Sequence, residues 1–186
     1  VRQVLAACPN CYKIFSNYGG KLEVKTVYEI LAKDGARSGQ KLSGVVRIHD
    51  PCAVRSEKKG HAALRQLVRK KGLEIEEMAH SGKKTLCCGE GGAVGCVAPP
   101  FSGEWGEIRK TEAEQRRIIT CCAGCAAYVN WRTPTSHVLG LLYEPGATMA
   151  GKAKVPSAPI TYLNRVRLKK RFQKDVKAET TGERSC

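Results

Sequence analysis

Apolar residues fall in short runs separated by stretches with helical spacing, so strands are expected to alternate with helices along the chain. The opening VRQVLAA reads as a short strand that ends in a loop at Cys8-Pro9-Asn10-Cys11. Residues 25–32 carry Val27, Ile30 and Leu31 at helical spacing. GVVRIH, residues 44–49, is a β-branched run of the kind that forms a buried strand. Residues 57–71 read as a helix, with Ala62, Ala63, Leu67 and Val68 on one side and Gly72 as its stop. Residues 73–78 alternate like a strand, and residues 103–117 predict a weakly apolar helix. Ile118 and Ile119 form a short strand that delivers residues 121–125, and residues 137–142 predict another helix. This order implies an α/β fold with a mostly parallel sheet, flanking helices, and ligand-binding loops at the strand ends.

A weak internal echo runs through this pattern. Cys8-Pro9-Asn10-Cys11 is followed by the apolar patch at residues 27–31, and Cys122-Ala123-Gly124-Cys125 by a similar patch at residues 137–142. The two stretches read as the closing units of two repeats, the first lacking everything upstream of its CxxC.

Charge changes the picture only at the end of the chain. The net charge is +15, and residues 152–186 carry ten Lys/Arg against three Asp/Glu. Residues 162–176 predict a basic helix with Tyr162, Leu163 and Val166 on its apolar side; residues 155–159 read as extended and the last ten as disordered. Nucleic-acid binding is set aside, because no helix-turn-helix, zinc-finger or RNP pattern is present and aromatics are sparse. A solvated tail competes with contact to an anionic membrane surface or an acidic redox partner. No run approaches the roughly 20 apolar residues of a membrane span. The opening residues lack the apolar core and cleavage site of a signal peptide, and a chain that starts at Val1 reads as cut from a longer protein.

Ten cysteines in 186 residues carry the chemistry. The adjacent pairs Cys87-Cys88 and Cys121-Cys122 argue against a disulfide framework, since neighbours are poorly placed to bond each other but can ligate one centre. A reducing, cytoplasmic setting with thiolates reserved for metal follows. The informative order is Cys52, then Cys87-Cys88, then Cys122-x-x-Cys125, with gaps of 34 and 33 residues. Each gap holds about one helix and one strand, so each loop returns to the same sheet edge. Iron–sulfur clusters need several soft, anionic ligands in a shielded pocket. Gly89, Gly91 and Gly92 would let backbone N–H groups reach anionic sulfurs. Pro51 and the small Ala123-Gly124 pair suit a tight loop. Four of the five thiolates would equally make a tetrahedral zinc site, the alternative being a zinc-stabilised interaction or assembly module. Cys121 is expected to be a buried bystander, Cys96 an ordinary small buried residue, Cys186 a free exposed thiol, and His49 a neighbour of the ligands and not one of them. The run 89–95 lacks the spacing of a dinucleotide loop.

His49-Asp50-Pro51-Cys52, Cys87-Cys88-Gly89-x-Gly91-Gly92 and Cys122-Ala123-Gly124-Cys125 resemble the motifs of the cysteine-rich CCG domain. That domain occurs in heterodisulfide reductase, in the iron–sulfur proteins of glycolate oxidase and anaerobic glycerol-3-phosphate dehydrogenase, and in lactate-utilisation proteins, usually in two copies. The resemblance implies that residues 1–35 are the remnant of a first copy, residues 36–148 a complete second copy, and residues 149–186 a basic extension. It implies an iron–sulfur oxidoreductase subunit that transfers electrons or reduces a disulfide through a cluster, of the non-cubane 4Fe-4S type in heterodisulfide reductase. The implied metal ligands are Cys52, Cys87, Cys88, Cys122 and Cys125, with Cys8 and Cys11 at a second, incomplete site. Gly89, Gly91, Gly92, His49 and Pro51 would line the cofactor. The implied partner is a flavoprotein or another iron–sulfur protein; the basic tail lies outside the resemblance, and its charge alone suggests a peripheral membrane or quinone-linked partner on the cytoplasmic side.

Overall fold

β-branched residues placed next to glycine build the central strand, Val45–His49 (β3), which starts after Gly44 at φ +110°. A computed structural model describes residues 2–35, 40–153 and 158–181. Four strands form a parallel sheet in the order β4–β3–β5–β6, with β4 at Glu74–Glu76, β5 at Ile118–Thr120 and β6 at Thr135–His137. The register sets Arg47 against Ile118, Ile48 against Ile119 and His49 against Thr120. A second parallel pair joins β1, Gln3–Ala6, to β2, Glu23–Thr26. The fold is therefore α/β with parallel sheets.

Side chains alternate along a strand, so each sheet face gets its own set. Val46 and Ile48 of β3 and Ile119 of β5 share a core with Tyr28 and Ala32 of helix α2 (Val27–Asp34), Leu64, Leu67 and Val68 of α3 (Lys58–Lys70), and residues of α7 (Val138–Tyr143). The opposite parity puts Ile118 in a smaller cluster with Met78, Ala113, Val129 and three cysteines, Cys88, Cys122 and Cys125. The sheet thus separates an apolar side from a thiol-rich side.

Several elements lie outside the expected pattern. Cys8-Pro9-Asn10-Cys11 is not a loop: Pro9 opens helix α1, Pro9–Tyr18, where its missing N–H and fixed φ suit the first turn. The helix expected at residues 103–117 is α5, Pro99–Ala113, which starts earlier, again on proline, and stops sooner, where Glu114 turns left-handed at φ +48°; a short helix α4, Val94–Val97, precedes it. Helix α6, Ala123–Asn130, and strand β6 also stand where no element was expected, and α8, Pro145–Met149, closes this part of the chain. The result is the same order twice. β1–α1–β2–α2 and β5–α6–β6–α7 are both strand, CxxC-bearing helix, strand, helix.

The chain divides into two units, residues 1–153 and 154–186. The second contains α9, Ile160–Thr181, so the helix runs beyond the expected residues 162–176 and into the expected disordered end. Residues 155–157 and 182–186, Cys186 among them, lie outside the described residues. Tyr162, Leu163, Val166, Leu168 and Phe172 are all exposed. At 3.6 residues per turn the first three fall on one flank and the last two on the far one, so no single apolar face forms. No helix of the described residues is long and apolar enough to cross a membrane.

Leu67, fully buried on the apolar side of the sheet, gives a direct test of that core. Leu67→Ala is expected to lower the unfolding free energy by about 2–5 kcal/mol. Urea denaturation with an unchanged m-value is the check.

Candidate metal centre

Three parallel strands deliver their following loops to one edge of the sheet. β3 runs directly into His49-Asp50-Pro51-Cys52, and Cys52 opens a 3-10 turn, Cys52–Val54. The chain after β4 passes through a second such turn, Gly82–Lys84, to Cys87 and Cys88. β5 leads to Cys122, which caps α6: its sulfur accepts from the Cys125 N–H at 3.5 Å.

The five sulfurs come together there. Cys52 stands close enough to Cys87 and Cys88 for both to act on its thiol. Cys125 stands between Cys88 and Cys122, its sulfur beside that of Cys88 and its N–H on that of Cys122. The Cys88 and Cys125 sulfurs and a His49 ring nitrogen all lie within 4.8 Å of one another. Exposure is graded across the group. Cys88, Cys122 and Cys125 form a buried floor, Cys87 is half-buried and Cys52 is exposed at the rim.

The environment differentiates these thiols. Cys88 is pulled below its ordinary value by the hydrogen bond from Cys125, helped by His49 and against the effect of burial. Cys125, the donor of that pair, is pushed up by its bonds to Cys122 and Cys88. Cys122 is drawn down to about 7, first by Cys125 and then by backbone N–H groups. Cys52 is pushed up to about 11 by desolvation and by Cys87. Backbone donors meet the sulfurs directly, with Gly89 N–H on Cys87 at 3.3 Å and Glu90 N–H on Cys88.

Two glycines make this packing feasible. Gly89 sits at φ +99°, and a Cβ there would lie 2.5 Å from the Ser102 carbonyl. Gly124 lets the Glu90 carboxylate approach, since a Cβ would stand 2.9 Å from its oxygen. Gly91 and Gly92 are exposed and Pro51 is buried beside Cys52.

His49 lies closer to the sulfurs than a bystander role would need. It is fully buried, and neither ring nitrogen finds a conventional hydrogen-bond partner. Strand parity explains it: His49 shares its face with Arg47, opposite to Ile48. The same parity separates Cys121 from Cys122. Cys121 packs in the apolar core with Ile119, and burial pushes its thiol up to about 12. Cys96 is exposed, contrary to expectation, because the short helix α4 holds no buried residue. Cys8 and Cys11 are both exposed, and the hydrogen bond to Cys8 raises Cys11. They pair with each other and not with the other five.

Two charged residues at the site were not singled out as functional from the sequence. Asp50 is fully buried and accepts from both terminal nitrogens of Arg65 at 2.9 and 2.8 Å and from the Gly82 N–H at 2.6 Å. Burial acts to raise its carboxyl, and Arg65 outweighs this and holds it below the usual carboxylate range. Arg109 is buried on the face of α5 that also carries Ser102, Gly106 and Ala113. In a strongly basic chain it reads as one more surface cation. The 102, 106, 109, 113 spacing of an otherwise polar helix was the available clue.

A parallel α/β sheet with cysteine-bearing loops gathered at its carboxyl edge defines a thiol-rich domain suited to a soft metal centre. Residues 46–130 match the family model described as the CCG cysteine-rich domain. It is 32% identical over 121 residues, 62% of its length, to a protein of Chromohalobacter salexigens named "probable membrane-anchored ferredoxin", of which the match spans 18%. It is 27% identical over 131 residues, 68% of its length, to an uncharacterized iron–sulfur protein of Methanocaldococcus jannaschii, of which the match spans 26%. The match thus covers about a fifth to a quarter of these relatives' own length.

Breaking the Asp50 joint tests the geometry. Asp50→Asn is expected to cost about 3 kcal/mol, because Arg65 loses its buried counter-charge. Hydrogen exchange should quicken around residues 77–85, while β1 and β2 keep their protection.

Proposed function

We propose that this chain is the cluster-binding portion of an iron–sulfur electron-transfer protein, with Cys52, Cys87, Cys88, Cys122 and Cys125 as ligands. The observation that carries this reading is the convergence of five sulfurs from three loops, with backbone N–H groups aimed at them. A structural zinc ion takes four ligands in a closed tetrahedron and has no use for a fifth thiol at an exposed rim. The donor set fits an anionic iron–sulfur cluster: soft sulfurs, N–H donors, and a floor shielded from water. Such a cluster, when bound, supplies one-electron chemistry. The family resemblance supports a non-cubane 4Fe-4S type, and the names of both relatives agree with iron–sulfur chemistry.

The protein's own contribution is to hold, shield and expose. Cys88, Cys122 and Cys125 anchor the buried side. Cys52 and Cys87 leave a rim through which a flavoprotein or another iron–sulfur protein, or a disulfide substrate, would exchange electrons. Residues 1–35 form the closing unit of a first copy of the domain, with Cys8 and Cys11 as ligands to a second centre that needs further donors. The setting is the cytoplasmic side, where thiols stay reduced. The basic helix α9 docks on an acidic redox partner. Its cations surround the helix and its apolar residues lie on two flanks, which favours a protein over a lipid surface.

Anaerobic purification followed by iron, sulfide and zinc analysis tests the central claim. Roughly four iron and four sulfide per complete site are expected for a 4Fe-4S centre. Cys87→Ser and Cys88→Ser should each lower iron several-fold, and Cys96→Ser should leave it unchanged. One zinc per chain without sulfide would establish the zinc module instead.

Deleting residues 160–186 tests the docking role. Binding to the purified redox partner should weaken at low salt and lose most of its salt dependence. Equal binding by both forms, or loss of sedimentation with anionic vesicles instead, would overturn it.

A further inference from the structure

Arg109 is the largest fully buried side chain among the described residues. Its surroundings do not balance its charge. Nη1 donates to the His80 carbonyl at 3.3 Å, and Nη2 lies 3.2 Å from Glu112 without hydrogen-bond alignment. Nε and Nη2 have no hydrogen-bond partner, nor has the Glu112 oxygen that faces Arg109. The other Glu112 oxygen is taken by the ring of His80, which is half-exposed. A guanidinium removed from water and left with one shared, misaligned carboxylate is under-compensated, and such sites need another anion close by.

The geometry identifies where that anion belongs. Helix α5 is fastened to the loop after Cys88, because the Ser102 hydroxyl donates to the Gly89 carbonyl at 2.7 Å. Arg109 lies two turns further along the same face. Cys87 and Cys88 are near enough for their charges to act on it. The helix therefore presents a buried cation behind the paired cysteines.

We propose that Arg109 is the buried counter-cation of the metal centre, a positioning residue that sets the charge balance, and so the reduction potential, of the cluster held by Cys87 and Cys88. This rests on the iron–sulfur reading above. Adding an electron makes an anionic cluster more negative, and a fixed cation in a dry environment favours that state. Glu112 works against it by neutralising part of the guanidinium charge.

The two residues should then move the potential in opposite directions, which a merely structural pair would not do. The test is a redox titration of the anaerobically purified full chain, followed by electron paramagnetic resonance. Arg109→Gln should lower the equilibrium constant for reduction about tenfold, a shift of about 59 mV to more negative potential for a one-electron couple. Arg109→Lys should recover part of the shift, and Glu112→Gln should move the potential to more positive values. If Arg109→Gln fails to retain iron, the signs in the other two variants decide. An unshifted potential in iron-loaded variants, or shifts of one sign in Arg109→Gln and Glu112→Gln alike, would overturn the assignment of Arg109 alone. A wild-type chain that binds no iron would remove the cluster reading and this assignment together.

Discussion

A buried carboxylate holds the site together. Asp50 stands two residues before Cys52, and its main-chain carbonyl accepts the hydroxyl of Thr85, two residues before Cys87, at 2.6 Å. The side chain of Asp50 accepts from Gly82 in the same incoming loop and from Arg65 of α3. One residue thus ties strand β3, helix α3 and the Cys87 loop at a common point. The arrangement tolerates no partial version. A carboxylate with no exposed surface is costly unless its partners are complete, and Arg65 supplies a two-pronged donor that Glu77 helps to hold, at 2.7 and 2.8 Å. The approach of Cys52 to Cys87 follows from this joint and not from any attraction between the sulfurs.

The sulfurs themselves oppose assembly. Thiolates gathered in a dry pocket repel one another, and the fold answers by aiming N–H groups at them. Backbone N–H groups of Gly89 and Cys125 point at the sulfurs of Cys87 and Cys122 and offset part of that charge. The same logic explains why Cys121 stays apart. Cys121 lies on the apolar face with Ile119, Val46 and Leu64, where burial outweighs a backbone N–H donor and keeps its thiol protonated. Parity along β5 decides between two adjacent, chemically identical residues.

That contrast marks what could be read from the residues. The ordered cysteines, the buried strands GVVRIH and Ile118-Ile119, and helix α3 were legible because their signals are local: residue type, spacing and apolar period. β2 and β6 were not. EVKT and TSH are short and polar, and they become strands only because a neighbouring parallel strand supplies their hydrogen bonds. The starts of α1 and α5 were legible in principle, since each opens on proline at the first turn. The burial of Asp50 and Arg109 was harder to read, because it depends on partners far away in the sequence. Arg65 is 15 residues from Asp50, and Arg109 reaches the Cys87 loop through a helix that reads as polar.

The two halves of the fold meet at Tyr28. Its hydroxyl lies 2.6 Å from the Ala7 carbonyl and 3.0 Å from that of Cys121. Ala7 and Cys121 are the residues that precede the two CxxC sequences, so one side chain touches equivalent points of both repeats. The hydroxyl has a single proton, and the shorter distance assigns it to Ala7. His137 supplies a proton from the other side. Its Nδ1 accepts the Leu139 N–H at 3.2 Å, which leaves the proton on Nε2, 3.3 Å from the Tyr28 oxygen. Burial lowers the His137 pKa and raises that of Tyr28, so both groups stay neutral. A neutral link carries position but no charge. It fixes the spacing of the two CxxC-bearing loops without placing a charge between them.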